Sequence, residues 1–474
     1  MTSKYALPVA VAGSIVLAGC FDSSSSSSDP APITTQVRVI HGVSDAPAVN
    51  VGIDGDVAIA GADFKQAAIL NPAVGSYSVT VDGLLPGSET VTVIGPADLT
   101  FEEGISYDII ASGSVGADTV APILLSDNGE RSNPDSVRLR VAHLSPAAQQ
   151  AAGGAVDVYL TPASAGDALP ADPNFSFSFG DDVGPLEVGA DTYRIRVTPE
   201  NSDVVVYDSG GVPLASGADL LIGAVDNTVF GDSPVSLLVV DGGETLELLD
   251  VDTGAGLRAA HNSSDAGEVD VYLNTEPDGT SAAVTALAFG ETVPSVASTG
   301  SYVGLDVGDN RLAITATGGT DAVIDETIDF ANGQLLTILA AGSINTEIEP
   351  LVFPDDNRRI ATAAKLRVIH GAVEAPVVDV YLLPTVDTGA GDTMIGNAEP
   401  ALPDFAYGKS SGYLQVAADD YVVVITDTDG NELFKSGSLT LEAGGVYGAV
   451  ARLNPEPAST ATVTLLDDFV QAQN

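Results

Sequence analysis

Short apolar runs, many alternating with polar residues, fill the chain from residue 36 onward and are separated by turns rich in Gly, Asn-Gly and Asp-Gly. A period of two sends successive side chains to opposite faces, so these runs predict short β-strands. No helical period longer than about ten residues follows the first nineteen. One apolar strand occurs four times, as Val37-Arg38-Val39-Ile40-His41, Leu139-Arg140-Val141-Ala142-His143, Leu257-Arg258-Ala259-Ala260-His261 and Leu366-Arg367-Val368-Ile369-His370. It holds all four histidines of the chain, each preceded three positions upstream by an arginine, at spacings of 102 (41 to 143), 118 (143 to 261) and 109 (261 to 370) residues. Such regularity is the mark of a tandem array with a unit of about 110 residues.

Further landmarks recur in order. Nine residues after the histidine comes Asn50, Asp270 or Asp379; in the second copy Asp157 follows at fourteen, after an insertion around Gln149 to Gly154. The aspartate sits in a Val-Asp-Val-Tyr-Leu strand at 156–160, 269–273 and 378–382, diverged to Val-Asn-Val-Gly-Ile at 49–53. Alternation places its valines and leucine on one face and Asp and Tyr on the other, which predicts a half-buried strand. More strands are expected near 77–81, 193–197, 312–315 and 421–425, and again near 107–111, 220–225, 335–340 and 447–451. Each copy closes on an apolar-acidic run: Leu124-Leu125-Ser126-Asp127, Leu248-Leu249-Asp250, Leu351 to Asp355, and Leu465-Leu466-Asp467-Asp468. The pattern predicts an all-β protein of four tandem Ig-like β-sandwich domains at 36–131, 137–251, 257–355 and 365–470. The links are short, so neighbours are expected to touch and form a semi-rigid rod.

The N-terminus carries a different signal. Lys4 precedes an apolar stretch from Ala6 to Ala18 that is too short to span a bilayer, and Leu17-Ala18-Gly19-Cys20 closes it with small residues. This resembles the bacterial lipobox. The resemblance implies a signal peptide over 1–19, a diacylglycerol thioether on Cys20, and acylation of the new amine. Two or three acyl chains anchor stably where one does not. Cys20 is the only cysteine, so disulfides and cysteine metal sites are excluded from the domains. Residues 20–35, with serines at 23–28 followed by Asp29-Pro30-Ala31-Pro32, read as the lipid anchor and a flexible tether. Phe21, in place of an aspartate after the cysteine, implies by the same resemblance an exported protein anchored in the outer membrane, facing the periplasm or the surface.

His41 to Pro47 (His-Gly-Val-Ser-Asp-Ala-Pro) and His370 to Pro376 (His-Gly-Ala-Val-Glu-Ala-Pro), together with the Val-Asp-Val-Tyr strands, resemble domain of unknown function 4397, found in tandem in bacterial exported and surface lipoproteins. The second copy departs with Ser145-Pro146 and its insertion, the third with Asn262-Ser263-Ser264. The resemblance brings no catalytic residue.

Charge narrows the partners. With 65 acidic against 17 basic residues and a net charge of −48, the chain repels nucleic acid. Calcium is a possible but unindicated partner, through Asp427-Thr428-Asp429-Gly430-Asn431-Glu432 or Asp250-Val251-Asp252; the first reads better as a hairpin turn. His41, His143, His261 and His370 read as structural, each ending its strand and hydrogen-bonding backbone or the loop that follows, since one histidine per copy makes no metal shell. Arg38, Arg140, Arg258 and Arg367 lie on the opposite strand face and pair with Asp157, Asp270 or Asp379 if that strand is their neighbour. Gly408-Lys409-Ser410-Ser411-Gly412 matches the hydrolase elbow in letters only, because a strand follows and no histidine comes after Ser410. The expectation is a non-enzymatic, lipid-anchored binding, adhesive or spacer scaffold with no cofactor, no metal and an unidentified protein or glycan ligand. The alternative is an envelope glycan hydrolase using paired carboxylates in one domain.

Overall fold

Valines and leucines at every second position give each strand one apolar face, and in every copy two sheets close over those faces. The structure, a computed structural model, describes residues 32–295, 302–385, 395–396, 398–453 and 461–469. The lipobox, Cys20 and the serine run lie outside the described residues. In the first copy Val37–His41 pairs parallel with Ser106–Ser112 and antiparallel with Ala67–Leu70, and Ala121–Asp127 completes the sheet. The facing sheet sets Val49–Ile53 between Asp56–Ala62 and Gly75–Leu85, with Glu89–Phe101 at its edge. The same order recurs: Val137–His143, Ala255–His261 and Ala364–His370 each run parallel to a later strand of their own copy, Asp219–Asp226, Leu335–Gly342 and Val446–Leu453. In all four registers the histidine stands opposite an alanine: Ala111, Ala224, Ala340 or Ala451.

The expected rod is not what forms. Copies pack in two face-to-face pairs, because the outer face of each histidine sheet is itself apolar. Ile40, Ile110 and Leu125 of the first copy bury against Leu144, Leu221, Val225, Leu238 and Val240 of the second. Ala260, Leu339, Ala341 and Phe353 of the third do the same against Ile369, Val450 and Leu466 of the fourth. Each fully buried Leu or Ile contributes roughly 1.5–3 kcal/mol, so neither face is stable bare. The residue after the histidine meets its counterpart across the seam, and the two differ in size. Gly42 sits 3.7 Å, measured from where a Cβ would be, from the Leu144 methyl, and the Asn262 amide donates to the Gly371 carbonyl at 2.6 Å. Leu144 and Asn262, where the second and third copies depart from the His-Gly pattern, are thus the large halves of two complementary contacts.

The pairs also touch. Arg358, in the link before the fourth copy, donates to the Ala46 carbonyl at 3.0 Å and pairs with Asp63 at 2.7 Å, while Ala361 N–H reaches Asp45 O at 2.7 Å. The link therefore folds back on the first copy, and Phe230 N–H of the second copy donates to Gly333 O of the third at 3.0 Å.

Two smaller expectations change as well. Val156–Pro162 and Val269–Leu273 are buried on both faces, with Asp157, Tyr159, Asp270 and Tyr272 all enclosed, because loops fold over the outer sheet; the Tyr272 hydroxyl, for one, accepts from Gly279 N–H at 3.1 Å. Ile33 to Thr35, assigned to the tether by composition, already belong to the first sandwich: Val74 N–H donates to Ile33 O and Thr35 N–H to Pro72 O.

Candidate functional site

Every histidine is 1–3% exposed and sits where its strand enters a loop. In the first copy Val43 N–H donates to His41 Nδ1 at 3.3 Å, which leaves the ring proton on Nε2, and Nε2 reaches the Pro47 carbonyl at 3.2 Å. The neutral imidazole thus closes a six-residue loop from both ends. His261 repeats this with Ser263 N–H and the Gly267 carbonyl, and His370 holds the Pro376 carbonyl at 3.3 Å. Burial pushes all four histidines below their ordinary pKa, so they stay uncharged near neutral pH. An aromatic ring meets each imidazole edge-on: Phe64, Phe179, Phe289 and Tyr407, at 6.1–6.4 Å between centroids. Phe179-Gly180 and Phe289-Gly290 recur at equivalent places of the second and third copies, and the structure makes both rings partners of histidine.

The arginines do not meet Asp157, Asp270 or Asp379. Those aspartates belong to the opposite sheet, and the sandwich interior separates them from the arginine face. Asp157 accepts from Asn201 N–H at 3.0 Å and from Ser176, Asp270 from Ala286 and Gly318 N–H at 2.8 Å each, and Asp379 from Asp404 N–H at 2.9 Å. The arginines point instead across the seams. Arg258 binds Asp467 at 2.6 Å and Asp355 at 3.2 Å; Arg367 binds Asp355, to which Tyr302 and Thr337 also donate at 2.7 and 2.6 Å. Two cations and two carboxylates, all at most about 5% exposed, neutralise each other reciprocally between the third and fourth copies. In the first pair Arg38 takes Asp108 in two hydrogen bonds of 2.7 and 3.0 Å and Arg140 donates to Ser126 O at 3.2 Å. Asp355 and Asp467 belong to the apolar-acidic runs, so the partners were visible as landmarks before their role was.

The second copy departs from this scheme. Residues Ser145 to Gly153 form a helix, Pro146–Ala152, with Ser145 Oγ capping Ala148 N–H, proline in the first turn and Gly153 left-handed at the end. The residue six after His143 is Gln149, and its carbonyl is taken by Gly154 N–H at 3.2 Å. Ser145 N–H still donates to His143 Nδ1 at 3.4 Å, but His143 Nε2 has no hydrogen-bond partner among the described residues. His143 is among the residues that line a cavity of about 280 Å³ between the two sheets, walled by alanines of the helix, by Phe175 and Phe177, and by valines and leucines of both sheets. The first copy has only about 60 Å³ in the same place.

The remaining candidates resolve locally. Ser410 lies in the strand Ser410–Val416; Ser411 Oγ accepts from Val368 N–H at 2.9 Å across a register shift of that strand pair. Asp427 accepts from the Asn431 side-chain amide at 2.7 Å and from Asn431 and Asp429 N–H at 2.8 and 3.0 Å and holds a hairpin turn; these bonds, the Asn431 amide foremost, draw its carboxyl below the usual range. Asp250 accepts from Asp208 and Asp252 N–H. Among the described residues no cluster of three His, Cys, Asp or Glu could hold a metal ion, and no helix is long and apolar enough to cross a membrane.

A family model, Domain of unknown function (DUF4397), matches residues 35–159 and 255–381, about half of the chain. Each match starts at a histidine strand and ends in the Val-Asp-Val-Tyr strand of the next copy. No curated protein sequence matches the chain. A solved structure described as "Alpha-glucan binding by a streptococcal virulence factor" aligns at 10% identity over 42% of this chain and 97% of that one, with a TM-score of 0.15. Another, "Product complex of a multi-modular glycogen-degrading pneumococcal virulence factor SpuA", aligns at 12% identity over 61% of this chain and 37% of that one, again at 0.15. This chain thus spans little more than a third of the second structure, and neither alignment carries a functional argument.

Proposed function

We propose that this chain, which belongs to the DUF4397 family, is a non-enzymatic, lipid-anchored protein of the cell envelope whose packed sandwich pairs serve as a binding scaffold. The observation that supports this is the use made of the recurring polar residues. Three of the four histidines hold carbonyls of their own loops, and the arginines are hydrogen-bonded or ion-paired at or beside the seams. Side chains already satisfied by the fold are poor acids, bases or nucleophiles. What the array offers a partner is therefore surface and interior space. The Ser-rich segment after Cys20 would hold this block away from the bilayer.

The anchor is tested by labelling cells with a radioactive fatty acid. The wild-type chain is expected to carry label and fractionate with membranes, and Cys20→Ser to lose both. Label recovered on Cys20→Ser refutes the anchor. Protease added to intact cells then separates a surface-facing from a periplasmic scaffold.

A further inference from the structure

We propose that the interior of the second sandwich is a binding site for a small, neutral, largely aliphatic molecule carrying one oxygen acceptor, which His143 receives through Nε2–H. The cavity, about 280 Å³, is roughly twice the ~150 Å³ apolar cavity that takes up benzene in other proteins. Its walls are alanine, valine, leucine and phenylalanine side chains, which reward apolar contact and leave an unaccompanied charge without solvation. Exposed Ala151 and Asp232 at its margin open it to solvent between the helix and the 232–235 segment. Val204 and Val205, 65% and 40% exposed, directly precede the lining residue Val206 in the chain.

The polar head is specified by one atom. His143 is 2% exposed; Ser145 N–H occupies its Nδ1, so Nε2 carries the proton, and the helix has removed the loop carbonyl that the equivalent nitrogen holds in the other three copies. A buried donor with no acceptor costs free energy that a ligand oxygen recovers on entry. The head is neutral because Asp181 and Asp226 stand near the imidazole and the whole chain is strongly acidic, which together repel a carboxylate. Ketones, alcohols and lactones of medium chain length fit this description. The family resemblance plays no part in it, and the scaffold reading stands whether or not the cavity is filled.

The test uses the full chain with 2-nonanone, n-nonane and nonanoate as probes, followed by calorimetry and by imidazole ¹⁵N NMR, where four histidines give a spectrum assignable by single substitutions. Expected are saturable one-to-one binding of 2-nonanone, a shift of the His143 Nε2 resonance alone, and affinity for n-nonane lower by about tenfold, the equivalent of one hydrogen bond. Ala224→Phe, which places a phenyl ring in the cavity, is expected to abolish binding with the circular dichroism unchanged. No saturable binding of 2-nonanone, or binding indifferent to Ala224→Phe, overturns the site. Equal affinity for n-nonane without a His143 shift, or tighter binding of nonanoate, overturns the assigned head group.

Discussion

The first and second sandwiches share a strand order, a histidine in the same register and one apolar seam, yet their interiors enclose about 60 and about 280 Å³. Their loops explain the difference. Val43 and Ala46 of the first loop are buried, and His41 cinches the chain at Pro47. In the second, a loop five residues longer forms an alanine-rich helix, Pro146–Ala152, that satisfies its own carbonyls and presents methyl groups where the first copy presents a closed loop. Loss of one side-chain-to-backbone tie and gain of a helix accompany the change from a nearly filled core to an open one.

The sharpest way to break this comparison is to insert the same ring into both interiors. Ala111 and Ala224 stand opposite the histidines at equivalent positions and line the two spaces. Ala111→Phe must overpack a cavity smaller than a phenyl ring, at about 3 kcal/mol. Ala224→Phe enters open space and is expected to leave stability unchanged or to raise it by about 1–2 kcal/mol. Hydrogen exchange of the amides in each copy reads both effects. Equal destabilisation of the two copies contradicts the open interior. A smaller contrast separates the histidines themselves. His41→Ala orphans both Val43 N–H and the Pro47 carbonyl, whereas His143→Ala orphans only Ser145 N–H, so the first is expected to cost more by about 1–2 kcal/mol. If the two substitutions cost the same, the loop closure by His41 is not a stabilising tie.

Period-two patterning and the fourfold Arg-x-x-His strand made the sandwiches legible from sequence, since alternation and register are local properties. What alternation cannot show is that both faces of a strand are buried. Ile40 and Arg38 look like an outward face, and only the packing of a second copy makes that face a seam. The partners of the arginines escaped for the same reason: Asp355 and Asp467 are distant in sequence from Arg367 and Arg258 or belong to another copy. The insertion was visible as fourteen residues in place of nine, and Ser145-Pro146 and Gly153 carried the signs of a helix start and stop. The cavity was not, because it consists of what Ala148, Ala151 and Ala152 leave out.

The smallest expected effect concerns charge. Burial lowers the pKa of both His41 and His143, but Arg358 adds to the lowering at His41 while Asp63 opposes it, and only carboxylates, Asp181 and Asp226, act on His143. Since both folded values lie below the ordinary 6.5, the unfolded chain binds more protons below that pH. Each histidine's contribution to stability is therefore complete above pH 6.5 and fades as the pH falls through the folded value. Arg358→Gln removes the cation from the first loop alone. The imidazole titration of His41 should then move upward towards the ordinary 6.5, so that the acid loss of the first copy becomes smaller and is complete at a higher pH, with His143 unmoved. A shift at both histidines, or at neither, shows that the docked link does not set the electrostatics of the first loop.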